Sequence, residues 1–151
     1  MSDFNILVLH GPNLNLLGTR EPETYGSKTL HDINAEIATL ANTFNASIST
    51  AQSNHEGELV EYIQQAKQQN IDGIIINPAA YTHTSVALRD ALLAVNIPFI
   101  EVHLSNTQQR EDFRQKSFLA DAATGIVAGF GSTSYMLALQ GLMTHLQHKE
   151  S

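Results

Sequence analysis

Asn5-Ile6-Leu7-Val8-Leu9-His10 is a short aliphatic run that breaks off at Gly11-Pro12. A strand covered on one face alternates apolar with polar residues, whereas a strand covered on both faces runs apolar without interruption. The run therefore reads as a buried strand of a parallel sheet. Working outward from it, four further strands are predicted at Ala46 to Gln52, Gly73 to Asn77, Phe99 to His103 and Thr124 to Gly129. Ala46 to Gln52 alternates, which places that strand at a sheet edge.

Between the strands the apolar period changes from two to about 3.6. Leu30, Ile33, Ile37, Leu40, Ala41 and Phe44 form one stripe, predicting a helix from Leu30 to Asn45 with Thr29 and Asp32 at its start as a capping pair. Leu59, Val60, Ile63 and Ala66 mark a helix from Glu56 to Gln69, with Ser53 and Glu56 at capping-box spacing. A third helix is expected from Ser85 to Val95, ending at Asn96-Ile97-Pro98, and a short fourth from Arg110 to Lys116. The last, Ser132 to His148, turns Tyr135, Met136, Leu139, Leu142, Met143 and Leu146 to one side. These methionines read as core. Five such units predict an α/β fold: a three-layer, doubly wound, five-stranded parallel sheet, flavodoxin-like, with strand order 2-1-3-4-5, in one domain spanning residues 1–151.

Composition narrows the function. The chain has 151 residues, 8 basic against 15 acidic side chains for a net charge of −7, and no cysteine. Thiolate chemistry, disulfides and Cys-ligated metals are excluded, and the acid excess argues against nucleic acid and anionic membranes as partners. The apolar runs fall far short of the roughly 20 residues of a membrane span. No basic n-region precedes an apolar h-region, so the expectation is a cytoplasmic protein. Cations are scarce: Arg20, Arg89, Arg110 and Arg114 are the only arginines.

In an open parallel sheet, ligands bind beyond the carboxyl ends of the strands. Those ends carry His10-Gly11-Pro12-Asn13, Asn77-Pro78-Ala79, His103-Leu104-Ser105 and Gly129-Phe130-Gly131. The connection from Asn13 to Gly26 is long where about 2–6 residues is usual, and loops of this kind often act as lids. It contains Arg20 and Tyr25. A cation beside a phenol stabilises phenolate and makes it a usable base, although a loop anchor and a surface charge fit the same two residues. Glu101 and His103 share one side of their strand, where a carboxylate orients the imidazole and favours the imidazolium that a general acid requires. Asp90 lies two helical turns beyond His83, and Arg114 one turn beyond Arg110.

Competing signatures are missing. No Gly-x-Gly-x-x-Gly or Walker loop follows the first strand, and no acidic cluster stands there to accept a phosphoryl group. His10, His83 and His103 lack a recurring metal-ligand spacing. A non-catalytic flavodoxin-like binding module and a metal-dependent hydrolase remain as alternatives to a lyase.

Taken in order, Gly11-Pro12-Asn13-Leu14-Asn15-Leu16-Leu17-Gly18, Arg20-Glu21-Pro22 with Tyr25-Gly26, the block from Asn77 to Asp90, and Glu101-Val102-His103-Leu104-Ser105-Asn106 closely resemble the type II 3-dehydroquinate dehydratases of the shikimate pathway. The resemblance runs from about Ile6 to Leu146. It implies elimination of water from 3-dehydroquinate to 3-dehydroshikimate through an enolate, without metal, organic cofactor or Schiff base. It also implies Tyr25 as the base activated by Arg20, His103 as the acid, Asn13 holding a water against the enolate oxygen, and Glu101 orienting His103. Leu104 and Ser105 would bind the substrate carboxylate, Asn77, His83 and Arg114 the ring hydroxyls. Asp90 would enter a neighbouring subunit's site, implying trimers and, as is usual in the family, a homododecamer. Arg110 matches a recurrent arginine without an assigned role.

Overall fold

The computed structural model describes residues 2–19 and 27–150, with the side chains of Lys149 and Glu150 left aside. Its strands are β1 (Phe4–His10), β2 (Ala46–Gln52), β3 (Gly73–Asn77), β4 (Phe99–His103) and β5 (Gly125–Ala128), and its α-helices are α1 (Leu30–Asn42), α2 (Glu56–Gln68), α3 (Val86–Val95) and α4 (Thr133–Glu150). The sheet is parallel throughout in the order β2-β1-β3-β4-β5, which is the expected doubly wound α/β topology with β2 at one edge.

Strand alternation divides the core into two layers. Ile6, Val8, Ile75, Ile100 and Val102 point to one face, where Ile33 and Ile37 of α1 and Leu139, Leu142 and Met143 of α4 cover them. Leu7, Leu9, Ile74, Ile76 and Phe99 point to the other, against Leu59 and Ile63 of α2 and Leu88 and Leu92 of α3. Because both faces are buried, the uninterrupted apolar runs Ile6 to Leu9 of β1 and Ile74 to Ile76 of β3 are required.

The local signals mostly hold. Thr29 Oγ1 accepts from the Asp32 N–H and the Asp32 carboxylate accepts from the Thr29 N–H, both at 3.1 Å, closing the capping box of α1. Those bonds hold the Asp32 carboxyl below its ordinary range. Ser85 caps α3 by accepting from the Leu88 N–H at 2.9 Å. Asn96 then ends that helix in the left-handed region at φ 54.

Two expectations fail. The Ser53/Glu56 box does not form: α2 starts after His55, and Ser53 Oγ instead accepts from the His55 N–H at 2.9 Å and donates to Glu58. Residues 110–116 are not an α-helix. Only Asp112–Arg114 among them forms a 3-10 turn, separated from the preceding turn Thr107–Gln109 by Arg110 and Glu111, whose backbone is not helical.

One close approach prepares the site. The Gly11 N–H donates to the Asn77 carbonyl at 2.8 Å, and a Cβ on Gly11 would stand 2.5 Å from the Pro78 oxygen. Only glycine lets the ends of β1 and β3 meet this tightly.

Candidate active site

A cleft of about 220 Å³ opens beyond the carboxyl ends of β1, β3 and β4. That is below the roughly 300–1,000 Å³ of drug-sized sites, and suits a small polar molecule. Its wall brings together Asn13, Asn77, His83, His103, Leu104, Ser105 and Arg114, which lie up to 101 residues apart in the chain. Arg110 joins them.

Asn13 follows β1 in the left-handed region, φ 70, where an Asn is tolerated better than other side chains. Its N–H donates to Asn54 Oδ1 at 3.0 Å, and Tyr81 Oη donates to the Asn54 carbonyl at 2.8 Å, so the segment after β2 holds the Asn13 turn in place. Leu14 and Leu17 anchor the same turn in the core.

Asn77, 3% exposed, ends β3, its side-chain Oδ1 accepting from the Ala79 N–H at 3.2 Å and its Nδ2 donating to Tyr135 Oη at 3.1 Å. His83 closes the 3-10 turn Ala79–His83. Its Nδ1 donates to the Lys116 carbonyl at 2.8 Å, which leaves Nε2 as the ring's acceptor when neutral.

At the end of β4, His103 Nε2 lies 2.6 Å from Glu101 Oε2. The period-two spacing thus places the pair on one side of the strand. Glu101, 2% exposed, stands behind His103 and outside the cleft wall. Its second oxygen accepts from Ser117 Oγ at 2.8 Å, and that hydroxyl in turn accepts from the Leu119 and Ala120 N–H groups at 3.0 and 3.1 Å. A buried carboxylate with both oxygens occupied holds the imidazole in one orientation and leaves Nδ1 as the ring nitrogen without a hydrogen bond among the described residues.

The cations come from the 3-10 segment after β4: Arg110 directly follows the turn Thr107–Gln109, and Arg114 ends the turn Asp112–Arg114. Arg110 Nη1 donates to Ser105 Oγ at 3.3 Å, and Arg114 Nε donates to Glu111 Oε1 and Oε2 at 3.2 and 3.3 Å. Backbone and Arg114 hydrogen bonds keep the Glu111 carboxyl below its ordinary range, so it stays charged and fixes Arg114. An imidazole backed by a carboxylate at one wall, with amide groups and two guanidinium groups around it, can protonate a leaving oxygen while binding an anion.

Asp90 does not reach this cleft. It sits exposed on α3, beside the Arg89–Asp121 ion pair. Arg20 and Tyr25 lie outside the described residues. Sequence reasoning missed Ser117, Asn54, Asn34 and the polar role of Tyr135, none of which sits in a local pattern. Among the described residues no group of three His, Asp or Glu side chains is arranged to hold a metal ion. No helix among them is long and apolar enough to cross a membrane.

The comparisons agree with this geometry. A profile of the family described as dehydroquinase class II matches residues 4–143. The chain is 59% identical over 143 residues to the 3-dehydroquinate dehydratase of Polynucleobacter asymbioticus, covering 95% of this chain and 96% of that one. It is 61% identical to the 3-dehydroquinate dehydratase of Bordetella avium, with 93% and 98% covered. Among solved structures, the type II dehydroquinase of Butyrivibrio crossotus superposes with a TM-score of 0.89 at 42% identity, covering 93% of this chain and 97% of that one. A cleft at the predicted strand ends, His103 in its wall with Glu101 behind it, and a match across nearly the whole chain lead to one conclusion: the chain belongs to the class II dehydroquinase family.

Proposed function

We propose that this protein is a hydro-lyase that eliminates water from 3-dehydroquinate to give 3-dehydroshikimate. The reaction needs a base for the proton alpha to the ketone, stabilisation of the enolate, and an acid for a hydroxide that leaves poorly. His103 is the acid: with Nε2 committed to Glu101, Nδ1 delivers the proton to the departing hydroxyl. Tyr25 is the base and Arg20 stabilises its phenolate. Asn13 holds a water at the enolate oxygen. The proton alpha to the ketone passes to Tyr25, the C–H electrons form the enolate, and its collapse expels the hydroxyl as water.

The substrate carboxylate binds at the Leu104-Ser105 amides and the Ser105 hydroxyl. Arg110, 3.3 Å from Ser105 Oγ, adds a cation to that end of the cleft. Asn77, His83 and Arg114 take the ring hydroxyls. The reaction calls for no cofactor. Asp90 serves the site of a neighbouring subunit in a trimer, four of which make a homododecamer. Its exposure on α3, beside the exposed apolar side chains Val86 and Leu93, supports that role. The same biosynthetic role puts the enzyme in the cytoplasm.

The observation that carries this reading is His103 in the cleft wall with Glu101 locked behind it at 2.6 Å. The test is ultraviolet detection of the conjugated enone formed from 3-dehydroquinate by the purified protein. Absence of enone formation refutes it.

A further inference from the structure

Behind Asn77 runs a chain of polar groups that the proposed chemistry leaves unused. Asn77 Nδ2 lies 3.1 Å from Tyr135 Oη, Tyr135 Oη lies 2.8 Å from His10 Nδ1, and His10 Nε2 lies 2.8 Å from Asn34 Oδ1. Tyr135 and His10 are fully buried, and Tyr135 belongs to the apolar layer between the sheet and the α1 and α4 helices. A phenol and an imidazole there cost more desolvation than apolar side chains of the same volume, so their value lies in something other than burial.

The direction of every bond in the chain can be assigned. Ala79 donates its N–H to Asn77 Oδ1, so the nitrogen end of that amide faces the tyrosine and donates. At the far end Asn34 Oδ1 carries no hydrogen, so His10 Nε2 must. Burial pulls the His10 pKa down to about 4, so the ring holds a single hydrogen near neutral pH and Nδ1 is a lone pair. Tyr135 therefore donates to His10 while its oxygen accepts from Asn77. All the bonds run one way, from Asn77 to Asn34. Reversing them would turn the Asn77 amide over and point its nitrogen at the Ala79 N–H.

We propose that Asn34, His10 and Tyr135 are positioning residues that fix the polarity of the Asn77 amide in the cleft. They would thereby set where the cleft offers a donor and where an acceptor to a ring hydroxyl. The inference rests on the reading of Asn77 as a substrate contact. Asn34 is the informative position, because it is part-buried on α1, lies outside the cleft wall and tolerates alanine in a helix. Removing its oxygen frees His10 to move its hydrogen to Nδ1.

The experiment measures kcat and KM for 3-dehydroquinate in the assembled full-length enzyme and its Asn34→Ala, Tyr135→Phe and Asn77→Ala variants. Long-range ¹⁵N spectra of His10 report its tautomer alongside. A hydroxyl contact made equally in ground and transition states appears in KM. Asn34→Ala and the near-isosteric Tyr135→Phe should each raise KM about tenfold with kcat within about twofold, about 1.4 kcal/mol of binding. His10 should lose its single Nε2–H tautomer in Asn34→Ala, and Asn34→Ala should add nothing to KM in an Asn77→Ala background. If Asn77→Ala raises KM while Asn34→Ala and Tyr135→Phe match the wild type, the inference fails alone. If Asn77→Ala leaves KM unchanged, the assignment of Asn77 fails and takes the inference with it.

Discussion

Replacing Glu101 with glutamine tests the acid in the mechanism with little change of volume. In the native structure one carboxylate oxygen takes the His103 Nε2 hydrogen at 2.6 Å and the other takes the Ser117 hydroxyl at 2.8 Å. Both are acceptor contacts, and a glutamine amide has only one acceptor. Its nitrogen must face either His103, losing the bond that orients the ring, or Ser117, whose oxygen already accepts two backbone N–H groups. The negative charge facing the ring is lost in either arrangement. A hydrogen bond to a charged group contributes roughly 1.5–3 kcal/mol. Applied to the protonation of the leaving hydroxyl, that is a fall of about 10- to 150-fold in kcat. KM should move little, because Glu101 is not part of the cleft wall. Ser117→Ala, which removes one neutral donor, should cost nearer 1 kcal/mol, about fivefold. The assay is the ultraviolet enone assay at saturating substrate. A Glu101→Gln enzyme with kcat within twofold of the native value refutes the role of the pair in acid catalysis.

Tyr25→Phe should abolish turnover while leaving substrate affinity, measured by calorimetry, largely intact; persistent turnover removes Tyr25 as the base. Gly11→Ala forces a Cβ to 2.5 Å from the Pro78 oxygen, so the ends of β1 and β3 must separate. Overpacking of this kind costs about 1–3 kcal/mol, or roughly 2–12 °C in Tm for a chain of this size, readable by calorimetry. The fully buried His10 has its pKa lowered from 6.5 to about 4, so the unfolded chain binds more protons between those values. Its contribution, on the order of 3 kcal/mol, is complete above about pH 6.5 and is lost as the pH falls toward 4. Urea midpoints should show that slope in the native protein and a shallower one in His10→Asn.

Much of the fold was legible because its causes are local. The apolar runs at Ile6 to Leu9 and Ile74 to Ile76 required a sheet covered on both faces, and the alternation of Ala46 to Gln52 marked the edge strand. The Thr29–Asp32 box was readable because both partners lie within one turn. The Ser53–Glu56 pair had the same spacing, but Glu58 and the His55 N–H, also nearby, competed for the serine. The segment from Arg110 to Lys116 failed for a related reason. Its turns are held by contacts such as Gln108 to the Gln115 carbonyl and Arg110 to Ser105, which no helical period encodes.

By itself, the sequence determined the sheet order, the strand ends that line the cleft, the pairing of Glu101 with His103 and the family. Each follows from short-range periodicity or from long motifs in a fixed order. Only the tertiary structure decided what stands behind those residues. Ser117 reaches Glu101 across 16 residues, Tyr135 reaches Asn77 across 58, and His10 meets Tyr135 across 125. Tyr135 occupies an inward helical position as a core side chain would, and periodicity cannot separate its apolar ring from its buried hydroxyl. A hydrogen-bond partner is chosen by distance and angle after the layers have packed, and that choice leaves no pattern along the chain.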